Sequence, residues 1–546
     1  SSVLAVANDG FPDGYARGEL SGSQPNIVGV TIEAGTSVLS QGGDIYIAGR
    51  GSQSATSSLR ESGIVLRDSY IDSGIGHIGM FAKSTSTAQI ASTAIDISNN
   101  STGSITSIIS ANTSSDAIVI VGDASEATAA GSAGILTYAP STTAGAVGAR
   151  IAAIGTSGGV RLVGKSNAAG TTGSVYGDGV ELNFAQVLAK SGPIVVEGSA
   201  NGTNAYGFSL ARRAVAGNTT AFGSAAGVSI TPFGSTTAVS LATSSSDITV
   251  SADKILTNAS YLATFDTTGT VTMQPLTNNF GTTFDTGGIS IGNGATQINF
   301  GKAGNTGPIT VNRAYTAGTI NITGGVVVLN QALTTNANQT RAGPISITAS
   351  TSLTTAAAAT ITTATNSDVL IATDTLSVGA NINAGTGAIE IAPATAARQI
   401  RIGTITAGFL SVDATTSSRL LSQYLRIGSA TAGAVQFNGS FPRVTAGKNT
   451  LKVITAGAVT QTSPVTVTNL AIDTDSTITL GAANEVTQLA LDSAATGDTA
   501  ISFAAKTGTT YTPATVDGVT PKFGTAAGVG LANVPTSAVA TTIYQN

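Results

Sequence analysis

Apolar residues in this chain recur two apart in short runs, and glycine punctuates the runs. The commonest phrase is a glycine, a small or turn-forming residue, then Ile-x-Ile or Ile-x-Val: GDIYI at Gly43, GPIVV at Gly192, GPITV at Gly307, GPISI at Gly343 and GAIEI at Gly387. Looser copies are GVRLV at Gly159, GVSIT at Gly227, GTVTM at Gly269 and GISIG at Gly288. A period of two places successive side chains on opposite faces, so each phrase predicts a turn and then a short strand with one buried face. Proline at the strand start fits, because that position lies at the margin of the hydrogen-bonded ladder.

The stretch from Gly307 to Asn330 is the densest case. Ile309-Thr310-Val311, Ile320-Asn321-Ile322 and Val326-Val327-Val328 predict three strands, joined by gaps too short for a helix. Two architectures can use this pattern. One is a meander of hairpins, for which Thr323-Gly324-Gly325-Val326 supplies a two-residue turn. The other is an all-β, right-handed parallel β-helix (β-solenoid), with three strands to a coil and about 20 residues per coil. Three observations favour the coil. The predicted strands stay short along the whole chain, whereas barrels and sandwiches include longer ones. The phrases at Gly307, Gly343 and Gly387 fall at spacings near two coils each. Asn, Ser and Thr crowd the turns, where stacked side chains can bond to the coils above and below.

The expected organisation is an N-terminal extension or cap over 1–30, a β-helix over 31–530 and a C-terminal tail over 531–546. The first segment carries Asp9, Phe11, Asp13, Tyr15, Arg17 and Glu19 but no strand phrase; it is a cap on the first coil, an arm toward a partner, or a frayed terminus. The chain opens on SSVLAVANDGFPDGYARGEL, which predicts a processed N-terminus or a piece of a longer protein. VELNFAQVLAKS at Val180–Ser191 and SRLLSQYLRIGS at Ser418–Ser429 are denser in Leu and Gln, and fit either a helical turn or a coil with Leu-rich walls.

Composition narrows the class further. Charged residues are 10% and aromatics 5% of 546 residues, there is no Trp or Cys, and 66 positions are Gly. Mean hydropathy is +0.27 and the formal net charge only −5, the reverse of the low hydrophobicity and high charge that keep a chain disordered. Thr, Ser, Asn and Gly interrupt every apolar run before the ~18 residues needed for a membrane span, so no membrane insertion is expected. Against 29 acids stand 24 scattered Lys and Arg, which excludes a basic footprint for nucleic acid. Without cysteine there are no disulfides, thiolate metal sites or thiol nucleophiles. A narrow aliphatic core also explains scarce aromatics, since Val, Ile, Ala and Leu fill it better than large rings.

Several short motifs invite a chemical reading. Gly288-Ile289-Ser290-Ile291-Gly292 matches a nucleophile elbow, but that motif needs a strand-to-helix turn and a later histidine, and the one histidine, His77, comes first. A strand with Ser290 on one face explains it better. Gly74-Ile75-Gly76-His77-Ile78-Gly79 fits a dinucleotide fingerprint without a convincing helix after it, so a tight coil corner is expected. His77 has no partner pattern for a metal. Asp68 with Asp72 and Asp473 with Asp475 are the best acidic pairs; they could hold Ca²⁺ or act as acid and base on a polysaccharide, and the plainer expectation is carboxylates solvated in turns. Asn-x-Ser/Thr triplets at Asn100, Asn201, Asn218 and Asn321 arise by chance in so Ser- and Thr-rich a chain. No catalytic, cofactor-binding or metal-binding residue is therefore assigned, and no cofactor is expected.

TGPITVNRAYTAGTINITGGVVVLNQALTTN, GAIEIAPATAARQIRIGTITAGFLSVDA and TITLGAANEVTQLALDS resemble the repeats of large bacterial exoproteins of the filamentous-haemagglutinin type and of β-helical autotransporter passengers. The resemblance covers roughly residues 30–530 and implies a secreted right-handed β-helix, found outside the cell or on its surface, that works in adhesion, coating or fibre formation. Asn-Pro-Asn-type secretion motifs and a membrane-barrel segment are missing from the match. The expected function is non-enzymatic and structural: rods that self-associate into a fibre, sheath or adhesive surface, with other copies of the chain as the main partner and cell-surface glycans as a further one. The alternative is a carbohydrate-binding or polysaccharide-degrading passenger on the same fold. That reading needs clustered acids beside aromatic platforms, which a chain without Trp supplies poorly.

Overall fold

A computed structural model of the chain describes residues 28–51, 62–85, 92–100, 103–139, 146–170, 177–210, 219–335, 343–364, 366–494 and 501–521, and the backbone alone at Ala16–Arg17 and Thr542–Tyr544. The chain divides into two compact units, Ser1–Pro308 and Ile309–Asn546.

In the first unit the chain visits three sheets in turn. Val30–Ile32, Ser37–Leu39 and Ile45–Arg50 begin sheets I, II and III, and the next three strands, Ile64–Arg67, Tyr70–Asp72 and Ile78–Lys83, pair with them in parallel. The cycle continues to Ile255–Leu256 on sheet I, Ile289–Ile291 on sheet II and Gln297–Phe300 on sheet III. Below the first rung of sheet III, Ala16–Arg17 adds a parallel pair with Gly49 and Arg50. This is a parallel β-helix: one turn of chain supplies the long crossover that parallel strands require, and the next turn lies on top of it.

Alternation works as the phrases predict. Down sheet III, Ile45, Ile78, Ile118, Val160, Ile194, Ile248, Val271 and Ile298 stack rung on rung, all buried. Those partners are 33, 40, 42, 34, 54, 23 and 27 residues apart, so the coils of this unit mostly exceed twenty residues because long connections join the strands. In the second unit the coils keep near the expected length: Ile309 pairs with Val327, 18 residues on, Val369 with Ile389, 20 on, and Leu451 with Leu470 and Leu470 with Leu489, 19 each. Its longest turn, 36 residues from Ile389 to Leu425, holds the parallel pair Ile400–Gly403 and Leu410–Asp413 and a helical turn, Ala414–Arg419, capped by Asp413 through the Thr416 N–H at 2.8 Å.

The predicted strands of 307–330 fare unevenly. Ile309–Val311 forms, but 320–322 and 326–328 belong to one strand, Thr319–Leu329, bent by an irregularity between Gly324 and Val326. There is no hairpin at Gly324-Gly325, and Tyr315–Ala317 forms a further strand although it carries no glycine phrase. The Gly343 and Gly387 phrases do stand two rungs apart, Ile345 on Val369 on Ile389. The Gly307 phrase does not: Ile309 lies under Val327 and Leu353, on a different side from Ile345, which sits over Ile320. Within 180–191 the chain makes two strands, Val180–Leu182 and Ala185–Ala189, and in 418–429 the helical turn ends at Arg419 and a strand, Leu420–Gly428, follows.

Rings are better suited to this core than its narrowness suggests. Phe184, Phe208, Phe222, Phe265, Phe284, Phe300, Phe437, Phe441 and Phe503 are among the largest fully buried side chains. Phe222 and Phe265 occupy adjacent rungs of sheet II and stack face to face at 4.5 Å and 7°, because the rung spacing nearly equals the stacking distance of aromatic planes.

At one corner of the first unit most rungs have no room for a side chain. Gly49, Gly122, Gly164 and Gly198 stack on sheet III, with Ala82 between the first two, and each of these glycines meets the residue just before the next strand of sheet I, Gly63, Gly134, Gly179 and Gly207. A Cβ on Gly164 would lie 2.0 Å from the Gly179 carbonyl oxygen, and one on Gly198 2.0 Å from that of Gly207. At the far end of the second unit, Thr542–Tyr544 pairs antiparallel with Ser502–Ala504, so that strand has a neighbour instead of an open edge.

Candidate functional site

The residues singled out by sequence do not converge. Ser290 sits on the outward side of a sheet II strand between buried Ile289 and Ile291, opposite Thr264 on the neighbouring rung. Gly74 and Gly76 form a corner, with Gly74 at φ +59° and the Gly76 N–H donating to Ser73 at 3.1 Å, and a strand begins at Ile78 where the fingerprint needs a helix. The His77 backbone N–H donates to Asp44 Oδ1 at 2.8 Å, and its ring Nδ1 lies 3.2 Å from the Asp116 carbonyl oxygen. Asp473 and Asp475 are exposed; Asp473 stands opposite Asp492 on the next rung.

Asp68 and Asp72 are in use as structural acceptors. Asp68 takes the Asn100 backbone N–H on both oxygens, at 3.1 and 3.2 Å, and the Ser104 hydroxyl. Asp72 is not solvated at all: it is fully buried and accepts from Gly74 N–H at 2.8 Å, Tyr70 hydroxyl at 3.0 Å and Phe233 N–H at 2.7 Å. Burial, with the Asp72 charge beside it, holds the Tyr70 phenol well above its ordinary pKa. Among the described residues no three His, Cys, Asp or Glu side chains are grouped to hold a metal ion, and no helix is long and apolar enough to cross a membrane.

What the fold does assemble are polar groups that tie one coil to another. Arg67 reaches Glu33 on the preceding coil at 3.1 Å and Asp96 on the following one at 3.0 Å. Asn484, fully buried, accepts from Val465 N–H at 2.9 Å and donates to the Ala504 carbonyl at 2.9 Å and the Leu480 carbonyl at 3.0 Å. Arg443 is buried with carbonyl partners: Thr450 at 3.1 Å, Leu420 at 3.4 Å and Ser422. Burial pushes its guanidinium pKa down to about 10.

The largest such construction was invisible in the sequence. Between Gly223 and Ile248 the chain leaves the coil, and residues 225–242 fold back over the outer side of sheet II as a narrow antiparallel strap. Ser229 pairs with Ser240 and Ile230 with Val239; the base closes through Ala225 N–H to the Leu241 carbonyl at 2.9 Å. Underneath lies one outward row, Asp72, Ile109, Ala152, Leu188 and Gly223, each on its own rung. Strap residues Val228, Ile230 and Leu241 pack on Ile109, Ala152 and Leu188. Burying three such side chains contributes on the order of 5 kcal/mol. The tip turns at Pro232–Ser235, with Gly234 at φ +79°, and there the Phe233 N–H meets Asp72. The phrase GVSIT at Gly227 thus belongs to the strap and not to a coil. Locally it reads like the phrases that do form coils, and no sequence signal sets it apart.

The second unit contains a shorter counterpart. Residues 514–519 reverse direction through Asp517 and Gly518, with Val516 and Val519 exchanging backbone hydrogen bonds at 3.0 and 2.9 Å. They lie over the outward row Glu390, Arg426, Lys452, Ala471 and Ala490, whose members occupy successive rungs. Val516 and Val519 pack on Ala471 and Ala490, while Asp517 takes a two-pronged bond from Arg426 at 2.8 and 2.9 Å. Arg426 also bonds Glu390 at 2.5 Å, and Lys452 Nζ donates to the Asp517 carbonyl at 3.2 Å.

Compared with protein families, characterised proteins and solved structures, the chain matches none. Its reading therefore rests on the geometry itself. Backbone ladders, rows of outward side chains and two external reversals are what that geometry offers.

Proposed function

We propose that this chain is a non-enzymatic structural protein of the bacterial exterior, a stacked-coil scaffold whose copies associate into a fibre, sheath or adhesive surface in the manner of filamentous-haemagglutinin-type exoproteins. The observation that supports this reading most is the use of polar side chains. Of the two acidic pairs that the sequence offers, Asp68 and Asp72 accept hydrogen bonds from their own backbone and neighbouring coils, and Asp473 and Asp475 stand exposed without forming a group of three metal-ligating side chains among the described residues. The carboxylates of Asp68 and Asp72, held in this way, tie turns and coils together.

The rest follows from physical properties of the fold. Rung-to-rung backbone bonding leaves few unpaired main-chain groups for a protease to engage, and a formal charge of −5 on 546 residues sets up little repulsion between copies. Negative-stain electron microscopy and sedimentation of native material, together with surface labelling of intact cells, test the proposal. Filaments or lattices on labelled cells are the expected result. Strictly monomeric material at high concentration, recovered only from inside cells, would refute it.

A further inference from the structure

We infer that the strap at 225–242 is a clasp: it fastens the coils between Asp72 and Gly223 into one cooperative block, so that the first unit does not unzip rung by rung from its N-terminal side. A plain solenoid has only nearest-neighbour contacts, and its terminal coils open first, each independently of those further in. The strap breaks that rule. It leaves the stack after Gly223, lies across Leu188, Ala152 and Ile109 in turn, and ends in a bond to Asp72, a partner 161 residues away in sequence. Those rungs span four steps of roughly 4.8 Å, about 19 Å, and the eight residues from 225 to 233 can cover about 26 Å when extended. The strap therefore reaches the last rung without strain. Lifting the rung of Asp72 must break the Phe233 bond, and lifting that of Ile109 must also strip Ile109 from the strap.

That the same construction occurs in the second unit with unrelated residues argues for a role and against accident. There the reversal at 514–519 bears on Ala490 and Ala471 and is anchored on Arg426, which itself grips Glu390 one rung further. In both units a late segment packs on small or apolar members of an outward row and reaches back to charged ones, and an aspartate makes the far attachment. The clasp is independent of the scaffold role proposed above.

Native-state amide exchange on the full chain tests it, read at sheet II amides that bond between clasped rungs: Ser73 to Ile109, Ser107 to Ser69 and Ile154 to Ser110. In the natural protein these three are expected to exchange at a common rate, as one opening unit. Replacing 226–240 by two glycines should speed exchange at Ser73 and Ser107 at least tenfold and separate them from Ile154, while Ala263, beyond the strap, changes by less than twofold. Phe233→Pro removes the donor together with the ring, in a turn whose second position suits proline, and should speed Ser73 and Ser107 at least threefold. Phe233→Ala keeps the N–H and should not. Should the shortened chain fail to fold, the proline and alanine variants decide alone. Graded protection in the natural protein, or equal rates in the proline and alanine variants, would overturn the clasp.

Discussion

The glycine corner of the first unit permits a quantitative test. A methyl group added by Gly164→Ala would stand 2.0 Å from the Gly179 carbonyl oxygen and 2.5 Å from Val180 Cγ2. Ordinary contact begins near 3.4 Å, so one strand must retreat by more than 1 Å. Neither is free to do so. Gly179 N–H donates to the Tyr206 carbonyl at 2.9 Å and Gly134 N–H to the Asp178 carbonyl at 3.0 Å, which ties this corner to the rungs on both sides. Overpacking a well-filled interior costs roughly 1–3 kcal/mol, and backbone neighbours place this case toward the upper end. Restricting the unfolded chain offsets about 0.4–1 kcal/mol. The net cost is about 2 kcal/mol, or roughly thirtyfold in a local opening equilibrium. A long stack of coils need not unfold in one step, so the suitable assay is amide exchange at Gly134 and Gly179, not a single melting temperature. Exchange at both should rise about thirtyfold in the variant. The rung of Ala82 and Ala94 already carries methyl groups at the corresponding positions, so Ala94→Gly should cost less than 1 kcal/mol there. Rates at Gly134 and Gly179 within threefold of the natural protein would refute the close-approach argument.

Two further outcomes follow from buried polar groups. Arg443→Leu removes the donors to the Leu420, Ser422 and Thr450 carbonyls and should destabilise the surrounding coils by about 2–4 kcal/mol, seen as a lower denaturation midpoint of the second unit; a midpoint equal to that of the natural protein would show that water replaces the guanidinium without loss. Burial raises the Tyr511 phenol from its usual 10.0 to about 12, and burial with the Asp72 charge raises Tyr70 too, so both should stay protonated where exposed tyrosines ionise. Because the unfolded chain loses these protons near pH 10 and the folded one does not, their stabilisation is complete below pH 10 and falls as pH rises toward 12. Tyrosinate absorbance should show a late-titrating fraction that Tyr70→Phe and Tyr511→Phe each reduce.

Much of the architecture could be read locally, and particular residues show where that ended. The alternation in GDIYI or GPIVV is complete within five residues, and the buried rows through Ile45 and Ile194 follow from it directly. Asp72 shows the opposite. It ends a three-residue strand, Tyr70–Asp72, just before a serine-glycine corner, yet it is covered by a strap that begins more than 150 residues later. The paired glycines escaped notice for the same reason. Gly164 and Gly179 are ordinary glycines in a glycine-rich chain until the corner brings their backbones together.

Period-two patterning and glycine turns by themselves pointed to an all-β chain and favoured stacked coils over a meander. They did not set strand length: Thr319–Leu329, Ile345–Thr355 and Ile382–Ala392 run 11 residues and Ile478–Ser493 runs 16, where short strands were expected throughout. Alternation and turns arise from neighbouring backbone torsions and the choice of face, which a few residues fix. Only the tertiary structure decided the length of each coil, which strand lies on which, and that GVSIT crosses the outside of the stack instead of joining it. Register between rungs is set by contacts among residues 18 to 54 positions apart, and loops of any length can close such gaps at little entropic cost, so local pattern carries no record of them.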